Sequence, residues 1–423
     1  MSEAVTGYRR EALPDPEEAG EDAWLAAAIR EDITLGGPIT FARFMERALY
    51  EPGHGYYRRP DPGPGRAGDF LTAPEAHPIF GAAIGRLLEQ AWDALGRPSP
   101  FTVAEPGAGT GALAAGLLGG LRDLGSPFLD AIRYRPVEVE PARLDAFRVR
   151  LAADGFEDRI APPGDAGDAG AAATGTETGA VIGTETGAVI GTETGAVIAN
   201  EVLDALPVHR VVGRDGGIRE LLVGLDTDGA FTWVEGEPST PELTARLAAE
   251  GVTLGEGQVT EICLAVDHWL VEATRHLGRG IVVLVDYADE PAALHGPGRP
   301  TGTLRAFARH AVGGDPFLHV GRQDLTTTVD LAAVRAATRR AGLVAVGETT
   351  QAELLARVGT AELTGAYLHR PGAGLADALL LRSALARLLD PRGMGGYRVL
   401  VSGRDLPESM ALPALERVQR PSL

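Results

Sequence analysis

The sequence predicts an α/β chain built on a mainly parallel sheet, and three observations predict it. Short apolar runs, rich in Val and Ile, end in acids or glycines. A helical pattern rich in Ala, Leu and Arg follows each of the early runs. This strand–turn–helix alternation recurs from residue 101 onwards, which is how parallel strands are joined.

The elements follow in order. Residues 1–22 are acidic and read as a disordered tail. AWLAAAIREDI (23–33) and PITFARFMERALYE (38–51) read as amphipathic helices, the second capped by Thr40. The Phe/Leu stripe at 38–49 reads as core or interface. A turn-rich loop follows, in which Tyr56 and Tyr57 read as core. HPIFGAAIGRLLEQAWDAL (77–95) again has helical spacing. Residues 23–98 thus form a helical N-terminal cap with a lid loop.

The main unit is expected over 99–403, with 404–423 as a C-terminal tail. Parallel strands are expected near 101–105, 133–138, 158–161, 196–200 and 281–285. Two more are expected near 343–348 and 397–402, the last as an antiparallel edge. Residues 208–234 read as an antiparallel meander turning at DGG and DTDG. Residues 240–277 read as helical, so that 206–277 is a substrate-side insertion. Residues 162–195 are Gly/Ala/Thr-rich and read as a loose insertion.

That insertion carries GTETGAVI three times from Gly175. Eight residues are too few for a solenoid unit, and three copies build none. Every copy offers the same GAVI to the strand, so pattern alone leaves the register open. The phrase ANEVLDALP breaks the tie, because it must stand at the strand's carboxyl end.

Composition narrows the function. The chain has 423 residues and a formal charge of −19, which opposes binding to a nucleic-acid backbone. All 39 basic residues are Arg, so Schiff-base and P-loop lysine chemistry are excluded. A single Cys263 permits no internal disulfide. No H-x-x-H or H-x-x-x-H pair suggests a metal site. His54 and His77 read as solvated, and His310 as a base or a surface residue. Without a signal peptide or a run of ~20 apolar residues, a cytoplasmic protein is the expectation.

Ligands of open parallel sheets bind at the carboxyl ends of the strands. There the sequence places Glu105, Gly107, Gly109 and Gly111, then Glu138, then Asn200, Glu201 and Asp204, then Asp286 and Tyr287. The glycines let backbone approach a ligand, and an acid closing the next strand suits a ribose. Glu138 stands 27 residues after Gly111, which favours an adenosine ligand. A dinucleotide site wants G-x-G-x-x-G; here the spacing is G-x-G-x-G behind an acid. A carboxylate at Glu105 repels pyrophosphate and suits the cationic end of S-adenosyl-L-methionine, the cofactor expected. Asp204 reads about equally as a helix cap, and Asp286 as a turn residue.

The phrases GDFLTAPE (68–75), ANEVLDALPVHR (199–210), VLVDYA (283–288), TLRAFARH (303–310), DLTTTVDL (324–331), TQAELLARVG (350–359) and GMGGYRVLV (393–401) occur in this order. Together they resemble the MidA-like family of class I S-adenosyl-L-methionine-dependent methyltransferases. That family includes the mitochondrial protein-arginine methyltransferase of complex I assembly. The resemblance implies a Rossmann-like class I methyltransferase sheet with a helical N-terminal section and an inserted antiparallel β meander plus helices. It implies that Gly107, Gly109 and Gly111 line the cofactor and that Glu138 holds its ribose. Gly68, Asp69, Phe70 and Thr72 would form a loop over it. Asn200, Glu201 and Asp204 would face the methyl group and the substrate. Three departures are EPGAGTGAL in the glycine loop, Ala73 where the family has Ser, and the inserted repeat.

The function so implied is methyl transfer to an arginine of a protein, with a respiratory complex I subunit among the candidate partners. A guanidinium keeps its charge and needs carboxylates to hold it. Glu201 and Asp204, three apart, can aim the same way, and Asp69 and Glu75 extend the acidic wall. Two alternatives stay open: transfer to a small-molecule oxygen or nitrogen, and a cofactor-binding assembly factor whose catalysis has lapsed.

Overall fold

The computed structural model describes residues 20–59, 71–161, 191–308, 311–408 and 410–415. Most of the acidic tail, Gly68, Asp69, Phe70, His310 and the first two copies of the repeat lie outside the described residues.

In chain order the strands are β1 (Ile39–Thr40), β2 (Phe101–Pro106), β3 (Ile132–Val137), β4 (Glu193–Asn200), β5 (His209–Arg214), β6 (Gly217–Leu225), β7 (Phe231–Gly236) and β8 (Val259–Ile262). They continue with β9 (Leu277–Asp286), β10 (Ala288–Asp289), β11 (Arg305–Ala308), β12 (Ala311–Gly313), β13 (Asp324–Thr326), β14 (Val329–Asp330), β15 (Val344–Thr350) and β16 (Arg398–Arg404).

Six of them form the central sheet in the order β15-β16-β9-β4-β2-β3. The strands β3, β2, β4 and β9 run parallel, and β16 is antiparallel to both of its neighbours. The final strand is therefore antiparallel as expected, but it lies inside the sheet and not at its edge. The strand expected at 158–161 reduces to one parallel bridge, Tyr134 to Ile160, behind a 3-10 turn at Glu157–Arg159.

The sheet is buried on both faces, so its strands read as unbroken apolar runs. Ala196 and Ile198 of β4, with Ile281, Val283 and Val285 of β9, face one core. The helices Pro78–Ala94, Ala112–Asp123 and Pro141–Ala153 cover that side. Val197, Ala199, Val282 and Leu284 face the other, under the helices Ala265–Thr274 and Leu331–Arg340. Leu412 and Ala414, in the expected tail, are buried in the first core.

The third copy of the repeat supplies β4, as the ANEVLDALP phrase requires. Gly195 is needed there: a Cβ on it would lie 1.9 Å from the Thr102 carbonyl oxygen of β2.

The meander is present as β5, β6 and β7, extended by β1 and β8. Asp215 and Gly216 both have positive φ at its first turn, the geometry that an Asp-Gly hairpin favours. Residues 240–277 are not wholly helical. The helices Pro241–Ala249 and Ala265–Thr274 are separated by β8. The N-terminal helices Ala23–Gly36 and Phe41–Tyr50 bury Leu25, Ile29, Phe41, Phe44 and Met45 against this meander and Leu325. The aromatic stripe is thus core, and Thr40 caps its helix by accepting the Arg43 N–H at 3.1 Å.

Candidate active site

The order of the central sheet reverses between β2 and β4, which places a crevice beyond their carboxyl ends. The first wall is the glycine turn between β2 and the helix Ala112–Asp123. Gly107, Gly109 and Gly111 all have positive φ. A Cβ on Gly107 would lie 2.8 Å from Val202 Cγ2, so only glycine lets the turn pass beneath that side chain.

The amides of this turn are engaged inside the protein. Gly107 and Ala108 donate to the Val137 carbonyl at 2.9 and 3.3 Å, Gly109 to Glu138 Oε2 at 2.9 Å, and Gly111 to the Ala108 carbonyl at 3.0 Å. No nest of free N–H groups is left at these four positions for a diphosphate, which argues against a dinucleotide.

Glu138 ends just past β3 and is 8% exposed. Each of its oxygens accepts one backbone N–H, from Gly109 and from Glu140 at 3.1 Å, and the Arg143 guanidinium lies 3.8 Å away. These contacts fix the carboxylate and leave acceptor capacity for ribose hydroxyls.

Glu105 is placed differently from the sequence expectation. Its carboxyl group is 4% exposed and accepts the Tyr134 hydroxyl at 2.6 Å. Burial pushes its pKa up to about 8 against the opposing Tyr134 bond, with Glu138 adding to the rise. Its carboxyl group lies buried beneath the glycine turn and hydrogen-bonded to Tyr134, not open to the crevice.

The second wall is the chain leaving β4. Glu201 has φ +52°, a left-handed conformation that costs a non-glycine residue on the order of 1–3 kcal/mol. Its N–H bonds the Val285 carbonyl at 2.8 Å. Its Oε1 accepts the Ala73 N–H and the Asn200 side-chain N–H, each at 3.0 Å. Burial lifts its pKa to about 7, the Ala73 bond opposing and Asp204 adding to the rise.

Asp204 follows in the 3-10 turn Leu203–Ala205 and is 5% exposed. Its Oδ2 accepts the Tyr287 hydroxyl at 2.6 Å, and its Oδ1 is buried without a hydrogen bond. Burial raises its pKa to about 6, with the Tyr287 bond opposing. Asp204 does not cap the turn. Asp286, at the end of β9, does so by accepting the N–H groups of Leu203 at 2.9 Å and Asp204 at 3.3 Å.

Glu201, Asp204 and Tyr287 line one cleft of about 420 Å³, together with Leu71, Asp324 and Tyr397. Thr72, next to Leu71 where the described residues resume, precedes the short helix Ala73–Ala76 that reaches Glu201. Glu75 is not part of this acidic wall: it meets Thr110 at 3.4 Å and Arg150 at 3.5 Å on another side of that helix. Tyr57 donates to Asp324 at 2.9 Å, and Tyr50 to the Ala205 carbonyl at 3.0 Å, so the N-terminal section braces the site. His77 is buried rather than solvated, and its Nδ1 accepts the Ile79 N–H at 3.0 Å. His54 pairs with Asp22 at 3.1 Å and stacks on Trp24.

Asp324, Tyr397, Tyr50 and Arg143 were not singled out by sequence reasoning. Asp324 and Tyr397 stand within the phrases DLTTTVDL and GMGGYRVLV, which is the signal that marks them.

The residues fit a nucleoside cofactor. The space beside Gly109 is open, a Cβ there meeting nothing nearer than the Gly107 carbonyl oxygen at 4.0 Å, Glu138 gives ribose acceptors, and Asn200 Oδ1 is buried without a hydrogen-bond partner beside Glu201.

Known proteins agree. A family described as "Putative S-adenosyl-L-methionine-dependent methyltransferase" matches residues 83–349. The chain is 33% identical to the mitochondrial protein arginine methyltransferase NDUFAF7 homolog of Drosophila melanogaster, over 88% of this chain and 82% of that protein. It is 27% identical to the mitochondrial protein arginine methyltransferase NDUFAF7 of Mus musculus, over 90% of this chain and 84% of that protein. A Burkholderia thailandensis protein crystallised with S-adenosyl-homocysteine superposes with a TM-score of 0.77 at 32% identity, covering 98% of this chain and 97% of that one. The curated relatives are mitochondrial proteins, which overturns the expectation of a cytoplasmic one. With the matched family spanning most of the sheet and a relative one-third identical over most of both chains, this protein belongs to the MidA-like family of S-adenosyl-L-methionine-dependent methyltransferases.

Proposed function

We propose that the chain transfers methyl groups to an arginine side chain of a protein, and that Glu201 and Asp204 hold the guanidinium. One observation carries this reading. Glu201, half-buried, and Asp204, buried, are acids on the same cleft; Arg299, Arg305 and Arg392 also line it, yet among the described residues no arginine or histidine forms an ion pair with either acid. Burying such acids without a cation is costly, and their raised pKa values express that cost. A guanidinium beside the two acids brings a positive charge into contact with them and donates to Asp204 Oδ1.

The cofactor supplies an activated methyl group on sulfur, so the protein's part is position and electrostatics. Asn200 and the Ala73 N–H fix the Glu201 carboxylate. Glu201 in turn orients the substrate nitrogen and accepts the proton that leaves it as the new N–C bond forms. Tyr287 fixes Asp204, which steadies the remaining charge. Glu138, Gly107, Gly109 and Gly111 are assigned to the cofactor, and Thr72 to its cover; the family resemblance gives Gly68, Asp69 and Phe70, outside the described residues, the same part.

The named activity of the NDUFAF7 relatives supports the arginine acceptor, and among proteins a respiratory complex I subunit is the acceptor the family resemblance points to. The test is transfer of labelled methyl groups to protein fractions from a lysate, followed by hydrolysis. Labelled methylarginine is expected. Label confined to the small-molecule fraction would replace this reading with a metabolite methyltransferase.

A further inference from the structure

We propose that Glu250, His295 and Asp330 form a binding site for a divalent cation of zinc's size, which clamps the substrate-side insertion to the core. One donor atom from each residue lies within 4.8 Å of the other two. The three come from distant positions with no motif spacing, so the sequence does not announce them. None of them lines the acidic cleft.

The geometry favours a cation over a plain ion pair. His295 Nε2 stands 3.4 Å from Asp330 Oδ2 and 3.5 Å from Glu250 Oε2. A charged hydrogen bond between imidazolium and carboxylate would close to about 2.7–2.9 Å. The edge of a tetrahedron with metal–ligand bonds of about 2.1 Å is about 3.4 Å, which matches the two separations at His295, while the Glu250 and Asp330 donors lie within 4.8 Å of each other. The side chains of His295, Glu250 and Asp330 are only 2%, 5% and 12% exposed. Both oxygens of Glu250 are buried without a hydrogen bond, although the site is polar.

The surroundings orient the ligands. Thr260 Oγ1 lies 2.7 Å from His295 Nδ1, which holds the ring with Nε2 turned to the carboxylates. Asp330 Oδ1 accepts the N–H groups of Ala332 and Ala333 at 2.8 and 3.2 Å, leaving Oδ2 for the site. Two carboxylates with a neutral imidazole balance a dication. Glu250 Oε1 or a water completes the fourth position.

The three ligands stand at three helix ends. Glu250 follows Pro241–Ala249, His295 follows Pro291–Leu294, and Asp330 precedes Leu331–Arg340. A cation joining them fixes the insertion to the helix that covers the central sheet. Asp330 also lies on β14, paired with β10 one residue past Tyr287, so the clamp steadies one wall of the cleft.

The test uses the full chain, stripped with a chelator and then titrated with zinc chloride. One zinc per chain is expected by calorimetry. The melting temperature should rise by about 3–5 °C when free zinc exceeds the dissociation constant a hundredfold. Glu250→Gln should bind less than a tenth as much zinc under the same conditions and lose the thermal rise. Should that variant fail to fold, wild-type crystals soaked in zinc decide, because an anomalous peak must appear between the three side chains. Absence of that peak, or zinc bound only elsewhere, overturns the site.

Discussion

Glu201 accepts the backbone N–H of Ala73 at 3.0 Å. The acid at the end of β4 is thereby tied to the first helical residue after Thr72. The left-handed backbone of Glu201 turns the carboxylate out of the strand direction and makes this contact possible. The tie joins the helix Ala73–Ala76 to the residue proposed to orient the substrate.

Glu201→Gln keeps the shape and the hydrogen bond from Ala73 but removes the charge. Calorimetry with S-adenosyl-L-methionine should give a dissociation constant within about threefold of the wild type, while turnover falls by 10²–10⁴-fold. Turnover within tenfold of the wild type would remove Glu201 from the proposed role.

Because burial raises Glu201 to about 7 and Asp204 to about 6, both acids gain protons on mild acidification. The wild-type kcat/KM should therefore rise with pH through 6 to 7 and level off above. In Glu201→Gln the upper inflection should vanish. A profile flat from pH 5.5 to 8 would contradict the assignment.

Glu105 holds its proton to about pH 8 in the folded chain, against an ordinary value of 4.5. Its contribution to stability is fully present below pH 4.5 and is lost as pH rises through about 8. In Glu105→Gln the fall in melting temperature between pH 6 and 9 should be shallower than in the wild type. Parallel curves would show that the Tyr134 contact does not hold a protonated carboxyl.

Asp286 supports the turn that carries Asp204 by accepting two of its N–H groups. Asp286→Ala should cost about 2 kcal/mol in urea denaturation and lower kcat by at least tenfold. Cofactor affinity should stay close to the wild type, because the glycine turn and Glu138 are untouched. A stable and fully active variant would show that Asp204 needs no such support.

Gly195→Ala forces a methyl group onto the Thr102 carbonyl in the centre of the sheet. A loss of about 3–5 kcal/mol, or insoluble protein, is expected from thermal melts. A melting temperature unchanged from the wild type would mean that β4 and β2 are not in this register.

Much of this was legible in the chain. Apolar runs closed by Glu105, Glu138, Asn200 and Asp286 gave four parallel strands, because a strand buried on both faces must be apolar throughout. Thr40 and the Asp215-Gly216 turn were readable from local chemistry alone. Other features depend on contacts distant in sequence, which no local pattern encodes. The Tyr134 hydroxyl on Glu105, the N–H groups of Leu203 and Asp204 on Asp286, and the burial of His77 are of this kind. The interior place of β16 was missed because an antiparallel strand can pair at an edge or between neighbours with the same alternation. The triad of Glu250, His295 and Asp330 was missed for the same physical reason, being spread over three helix ends.

The position of β16 also has a bearing on synthesis. Among the described residues, the last strand in chain order is the one that fills the gap between β9 and β15. Until Arg398–Arg404 has left the ribosome, β9 has an unpaired flank and β15 has nothing to join. The sheet is thus keyed by its final segment, and a nascent chain stopped before residue 398 carries an open, strongly apolar strand edge of the kind chaperones capture.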